Sequence, residues 1–230
     1  MHVRYQSPHS TIARASMLRR ACLCCVGAIA VSSLLSCASS GGASQARVCA
    51  IPSIDGVCHR PLDGASSTLA LLFFLEPRCP IANALAPEMS RIAASAQLHG
   101  VAVYFVYPGR FADAAEIRSH NADFALGAVA LLDRDGALLS AVGATISPEA
   151  AIVRREGDGQ FSLLYRGRIN DLFEAPGQRR PAALHDDLAR ALAVALAGGT
   201  PEPSRTIAIG CVLTATNSVS QKSDSIERPH

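Results

Sequence analysis

The chain contains no tryptophan, and only 5% of its 230 residues are aromatic. That is too few rings for a surface that grips bases or sugars by stacking. Charge is equally sparse: 17% of residues are charged, Lys and Arg (21) nearly balance Asp and Glu (19), and no long run of either sign occurs. Without a basic patch or stripe there is no electrostatic footprint for nucleic acid, and no such partner is expected. Internal repeats are absent. What is present in quantity is apolar residues, 49% of the chain, enough for one compact domain with appendages rather than two full domains. Eight cysteines are also present, unevenly spread: Cys22, Cys24, Cys25 and Cys37 lie near the N-terminus, and Cys49, Cys58, Cys79 and Cys211 lie in the body.

The N-terminal cysteines belong to a targeting segment. Arg19 and Arg20 precede an uncharged run over residues 21–35. Its length is short of the roughly 20 residues a bilayer-spanning helix needs and suits the apolar region of a signal peptide. Residues 1–16 read poorly as the basic leader, so translation from Met17 is an alternative start. Leu34-Leu35-Ser36-Cys37 resembles a bacterial lipobox, in which the cysteine is diacylated and becomes the mature N-terminus. The other reading is an ordinary signal cut near Ala38 or Ala43. The expected organisation is a signal over 1–36, lipidation at Cys37, a Ser/Gly/Ala-rich tether over 37–47, a folded domain over 48–213 and a disordered tail over 214–230. Ala38, rather than Asp, after the lipidated cysteine favours the periplasmic face of the outer membrane. Export also sets the redox context, since disulfides persist outside the cytoplasm.

In the body, 48–62 reads as an irregular entry with one short strand. The apolar run 68–75 is continuous rather than alternating, the pattern of a central strand covered on both faces. A helix is predicted over 79–98, closed by Gly100, then a buried strand over 101–107, a helix over 112–124 and a strand over 128–132. Asp133-Arg134-Asp135-Gly136 signals a turn. Strands over 151–155 and 161–166 flank Glu156-Gly157-Asp158-Gly159 and predict a hairpin. A last amphipathic helix is predicted over 181–196, with Pro181 in its first turn and Gly198-Gly199 at its end. The order β-α-β-α-β, hairpin, helix predicts an α/β sheet with helices on both faces and a hairpin at one edge.

Chemistry centres on Cys79, at the junction of the buried strand and the helix. A helix N-terminus offers unpaired backbone N–H groups and the positive end of the dipole, Arg78 adds a cation, and both favour a thiolate. Glu76 opposes them if it points the same way. Pro87 follows eight residues later inside the helix, and Ser147-Pro148 precedes the edge hairpin. This set resembles the thioredoxin-like superfamily, whose active-site cysteine starts a helix carrying a kinking proline and faces a cis-proline loop. Within it, the chain is similar to a bacterial redoxin subgroup related to thiol-specific antioxidant sequences. The likeness is carried by Cys79-Pro80-Ile81-Ala82-Asn83, Pro148-Glu149-Ala150, the Tyr-Arg-Gly-Arg-Ile-Asn-Asp run over 165–171 and Gly210-Cys211. The resemblance implies a thioredoxin-like fold and thiol–disulfide chemistry, with Ser147 and Pro148 shaping the groove at Cys79.

The departures narrow that chemistry. Ala82 stands where a dithiol motif has its second cysteine. A peroxiredoxin has Thr three and Pro seven residues before its reactive cysteine; Glu76 and Leu72 occupy those places. Under the resemblance, a distant cysteine must resolve an oxidised Cys79: Cys211 is the leading candidate, reached if the C-terminal segment folds back over the sheet edge, and Cys58 is the alternative. Cys49 and Cys58, close in an irregular segment, are candidates for a local structural disulfide. Arg166, Arg168 and Asp171 read as an ion-pair cluster at the hairpin end. His99, His120 and His185 are expected on solvated helix faces or ends. No haem or copper motif is complete, and neither a metal nor another cofactor is expected. Three functional readings follow: a cell-envelope thiol–disulfide oxidoreductase acting on a protein thiol or disulfide, a non-catalytic binding or assembly module, and an atypical thiol peroxidase meeting a small-molecule oxidant.

Overall fold

The computed structural model describes residues 50–63, 67–109, 113–157 and 159–214. The expected signal, the lipidation site Cys37, the tether, Cys49 and the tail beyond 214 lie outside the described residues. The elements in order are β1 (Ile51–Pro52), β2 (Cys58–His59), β3 (Leu69–Phe74), α1 (Pro80–Leu98), β4 (Ala102–Pro108), α2 (Ala114–Asp123), β5 (Val129–Asp133), α3 (Ala137–Val142), β6 (Ile146–Ser147), β7 (Glu149–Gly157), β8 (Gln160–Gly167), β9 (Phe173–Ala175), β10 (Gln178–Arg179), α4 (Asp187–Leu196) and β11 (Cys211–Val212). Five strands form the central sheet in the order β5-β4-β3-β7-β8. β3, β4 and β5 are parallel, and the β7–β8 hairpin joins β3 antiparallel at one edge. This is the mixed sheet of a thioredoxin-like fold.

The β3 run is buried on both faces, as its continuous apolar character predicts. Leu69, Leu71 and Phe73 point into one core with residues of α1, α2 and α4, including Met89, Ile117 and Leu188. Ala70, Leu72 and Phe74 point into the other, with Ile51, Leu62 and residues of α3. Helices therefore cover both faces. Gly100 ends the α1 turn with φ +74°, a conformation glycine adopts without steric cost.

Three local expectations are corrected, and one element is added. The entry segment forms two paired strands rather than one, and the pair lies along β5 through a Ser53–Leu131 bridge. α3 lies where only a turn was expected; the buried Asp133 carboxylate accepts the Leu138 and Leu139 N–H groups at 3.1 and 2.8 Å and so supplies the cap of a six-residue helix too short to show periodicity. The last helix begins at Asp187, not at Pro181, because Asp171 accepts the N–H groups of Leu184 and His185 and holds that stretch in an irregular path. A small β9–β10 hairpin turns at Pro176-Gly177.

Candidate active site

Cys79 is the N-cap of α1, in extended conformation, with Pro80 behind it in the first turn. Proline fits there because that N–H would be unpaired anyway. The Cys79 thiol is 1% exposed and donates to the Ser147 carbonyl at 3.0 Å. Ser147 precedes Pro148 across a cis peptide bond, and its hydroxyl accepts the Glu76 N–H at 2.7 Å. The loop before Cys79 and the Ser147-Pro148 loop are thus joined from both sides. Ala82, one turn into α1, is buried in the core. A methyl group fills the place of a second motif thiol.

The second thiol arrives from the other end of the chain. β11 pairs antiparallel with β6, setting Cys211 opposite Ser147 and Val212 opposite Ile146. Cys211 packs against the core cluster that contains Cys79. Burial, first, pushes the Cys211 thiol up to about 11, and the neighbouring Cys79 and Glu76 add to it. Cys58 is exposed on the β1–β2 pair at the β5 side, two strands from β3, so the structure brings Cys211 and not Cys58 to Cys79. The path does run over the sheet edge, because Arg205 bridges to Arg166 of edge strand β8 before the chain reaches β6.

The residues of the subgroup likeness hold this path in place. The Glu149 carboxylate accepts the Thr145 and Ile146 N–H groups at 2.7 and 3.2 Å and pairs with Arg166 at 3.2 Å. The Arg166 guanidinium also donates to the Val142 and Gly143 carbonyls, bracing the start of the Ser147 loop. Tyr165 donates to the Arg168 carbonyl at 2.8 Å and shares a 2.7 Å bond with the Thr206 hydroxyl. At Gly210 an added Cβ would lie 1.9 Å from the Ser147 carbonyl oxygen, so only glycine allows the close approach beside Cys211. Arg166, Arg168 and Asp171 do not form the expected cluster. They pair separately with Glu149, Asp187 and Arg180, because alternate residues of the strand and the loop after it face different neighbours.

Arg78 is exposed, and its guanidinium is held by both Glu116 carboxylate oxygens at 2.8 and 3.2 Å. His120 is buried, against the expectation of a solvated helix face. One ring nitrogen lies 3.0 Å from the Tyr107 hydroxyl and the other 2.9 Å from the Asn83 side-chain oxygen. Asn83 in turn donates to the Pro77 carbonyl. Burial lowers the His120 pKa, with Asp123 and Glu116 opposing. This chain from β4 to the loop before Cys79 had no sequence signal beyond Asn83 in the cysteine motif. Among the described residues, no group of three or more His, Cys, Asp or Glu is arranged to hold a metal ion.

No protein-family model matches the chain. The soluble secreted antigen MPT53 of Mycobacterium tuberculosis is 33% identical over 103 residues, 44% of this chain and 57% of that protein, and its Mycobacterium bovis counterpart matches equally. The chain therefore spans little more than half the length of these curated relatives. Among solved structures, hypothetical protein SMc02350 from Sinorhizobium meliloti aligns with a TM-score of 0.63 at 21% identity, covering 73% of this chain and 91% of its own. An uncharacterized conserved protein from Geobacillus kaustophilus aligns at 0.60 and 20% identity, covering 74% and 89%. At these identities the structural likeness speaks to the fold.

Proposed function

We propose that the chain is an exported, membrane-anchored thiol–disulfide oxidoreductase in which Cys79 attacks and Cys211 resolves. One observation carries the reading: Cys211 stands opposite Ser147 on the β6–β11 ladder, and Ser147 is the residue whose carbonyl receives the Cys79 S–H. In the reaction, the Cys79 thiolate attacks one sulfur of a protein disulfide. A Cys79–substrate mixed disulfide forms and the other substrate sulfur leaves as a thiolate. The Cys211 thiolate then attacks the Cys79 sulfur, giving Cys79–Cys211 and releasing the second substrate thiolate. Two electrons pass from the cysteine pair to the substrate, and the two cysteine protons end on the released thiols. Run backwards, the same steps oxidise a substrate dithiol. Ser147 and Pro148 form the wall beside the reacting sulfur.

Export is supported by the N-terminal sequence and by the secreted character in the name of the curated relative. Anchoring rests on the lipobox-like Leu34-Leu35-Ser36-Cys37, and a Cys49–Cys58 disulfide belongs to the same proposal. The test is non-reducing peptide mapping of protein recovered from the cell envelope, with Cys211→Ser alongside. A Cys79–Cys211 linked peptide in wild type, and a mixed disulfide accumulating on Cys79 in the variant, are the expected results. Free Cys79 and Cys211 after treatment with an oxidised dithiol that reacts fully with other envelope thiols would remove the reading.

A further inference from the structure

Cys79 is 1% exposed, and Cys211 of the chain's own C-terminal segment packs against the core cluster that contains it. That segment is fastened at both ends, with a short ladder and partly buried side chains between them. At its entry, Arg166 donates its N–H to the Ser204 carbonyl at 3.0 Å and accepts the Thr206 N–H at 3.1 Å. The Thr206 hydroxyl adds its bonds to Tyr165 and to the Arg168 N–H. At its exit, Leu213 is buried in the second core, and its N–H reaches the Thr145 carbonyl at 2.8 Å. Between these points Ile207 is 81% and Val212 71% exposed, and Ile209 and Cys211 are only partly buried against the core, so few side chains hold the span. Its ladder to β6 is two residues long. A span held by so few backbone bonds opens at lower cost than the central sheet.

The segment also lies between two depressions. On one side a cleft of about 150 Å³ is bounded by Glu76, Arg78 and Glu116 and closed by Val212 and Leu213. On the other, a groove at Leu85, Pro148 and Phe173 is closed by Ile209. Both depressions are lined by this segment, so lifting residues 207–212 would uncover them as one trough beside Pro148.

We propose that residues 207–214 are a strap serving as both lid and resolving arm. Seated, it excludes bulky disulfides from Cys79. Lifted about the Ser204–Thr206 fastening, it opens the trough; returned, it delivers Cys211 to the mixed disulfide. The resolving half rests on the function proposed above, while the lid half stands on burial alone.

The experiment is iodoacetamide alkylation of Cys79 in the reduced full-length chain, followed by peptide mass spectrometry. Amide exchange is measured across the segment in parallel. In wild type, Cys79 should label at least about tenfold more slowly than in the unfolded chain. Gly210→Ala places a Cβ against the Ser147 carbonyl, and should raise labelling at least about tenfold while the Leu213 amide loses protection. Thr206→Val, a milder loosening of the fastening, should give an intermediate rise and carries the test if Gly210→Ala does not fold. Wild-type labelling as fast as in the unfolded chain would overturn the lid. So would unchanged labelling in a variant whose Leu213 amide has become unprotected. Alkylation needs no disulfide partner: a closed, gated Cys79 that never links to Cys211 would sink the proposed function and leave the lid standing.

Discussion

Cys79 and Cys211 lie in one core cluster but are held differently, and the proposed order of action draws on that difference. Cys79 caps a helix N-terminus and is buried, its S–H donated to the Ser147 carbonyl. Cys211 is pushed up to about 11, first by burial and then by Cys79 and Glu76. Under the proposed cycle, the influence of Cys79 on Cys211 is lost once that sulfur is tied up in a mixed disulfide, while burial remains. Cys79→Ala should therefore lower the Cys211 pKa, read by thiolate absorbance; an unchanged titration would mean the two sulfurs do not sense each other. Glu76→Gln removes the other negative neighbour and should speed the resolving step severalfold near pH 8, read in a single-turnover assay of the mixed disulfide. His120 gives a stability prediction. Its folded-state pKa is depressed by burial, so the unfolded chain binds the extra proton more readily. Stability should then rise with pH through the unfolded value of about 6.5 and be lost as pH falls below it. His120→Gln should flatten that part of a Tm-against-pH curve relative to wild type.

Among the elements, the loop between α3 and β7 is the junction on which the site depends. Glu149 caps it, Arg166 ties it to β8, and β11 lies along it. The Glu149 side chain is 6% exposed and that of Arg166 21%. Glu149→Ala strands a largely buried guanidinium and uncaps two N–H groups, at a cost of about 3 kcal/mol in urea unfolding. A loss under about 0.5 kcal/mol, the range of an ordinary surface change, would show that the clamp is not structural. The elements differ in how legible they were. Strand β3, helix α1 and the β7–β8 hairpin were readable because each is long enough for periodicity or has a strong turn signal. α3, the late start of α4 and the burial of His120 were not. The last two depend on partners far away in sequence, Asp171 with Leu184 and Asn83 with His120, while α3, capped by nearby Asp133, is too short to show periodicity.

For the whole molecule, the parts with local chemical signatures can be tested separately from the fold. Cys37→Ala should move the mature protein from the membrane to the soluble envelope fraction, with loss of a diacylated N-terminal cysteine by mass spectrometry; membrane retention of the variant would reject the anchor. Within the domain, the amino-acid order by itself determined the order of the main strands and helices, the place of Cys79 at a helix start and the missing second thiol at Ala82, but not the entry strand pair, α3 or the β9–β10 hairpin. These follow from apolar periodicity, proline geometry and residue identity, all of which act over a few neighbouring positions. Only the tertiary structure decided which distant cysteine meets Cys79. That choice turns on a carbonyl at Ser147, a glycine at 210 small enough to lie against it, and the Thr206 and Arg166 bonds that route the C-terminal segment past the β8 edge. Long-range contacts of this kind are set by how packed elements fit, which sequence spacing does not encode. The tertiary structure also buries Cys79, at 1% exposure, in the core cluster against which Cys211 packs.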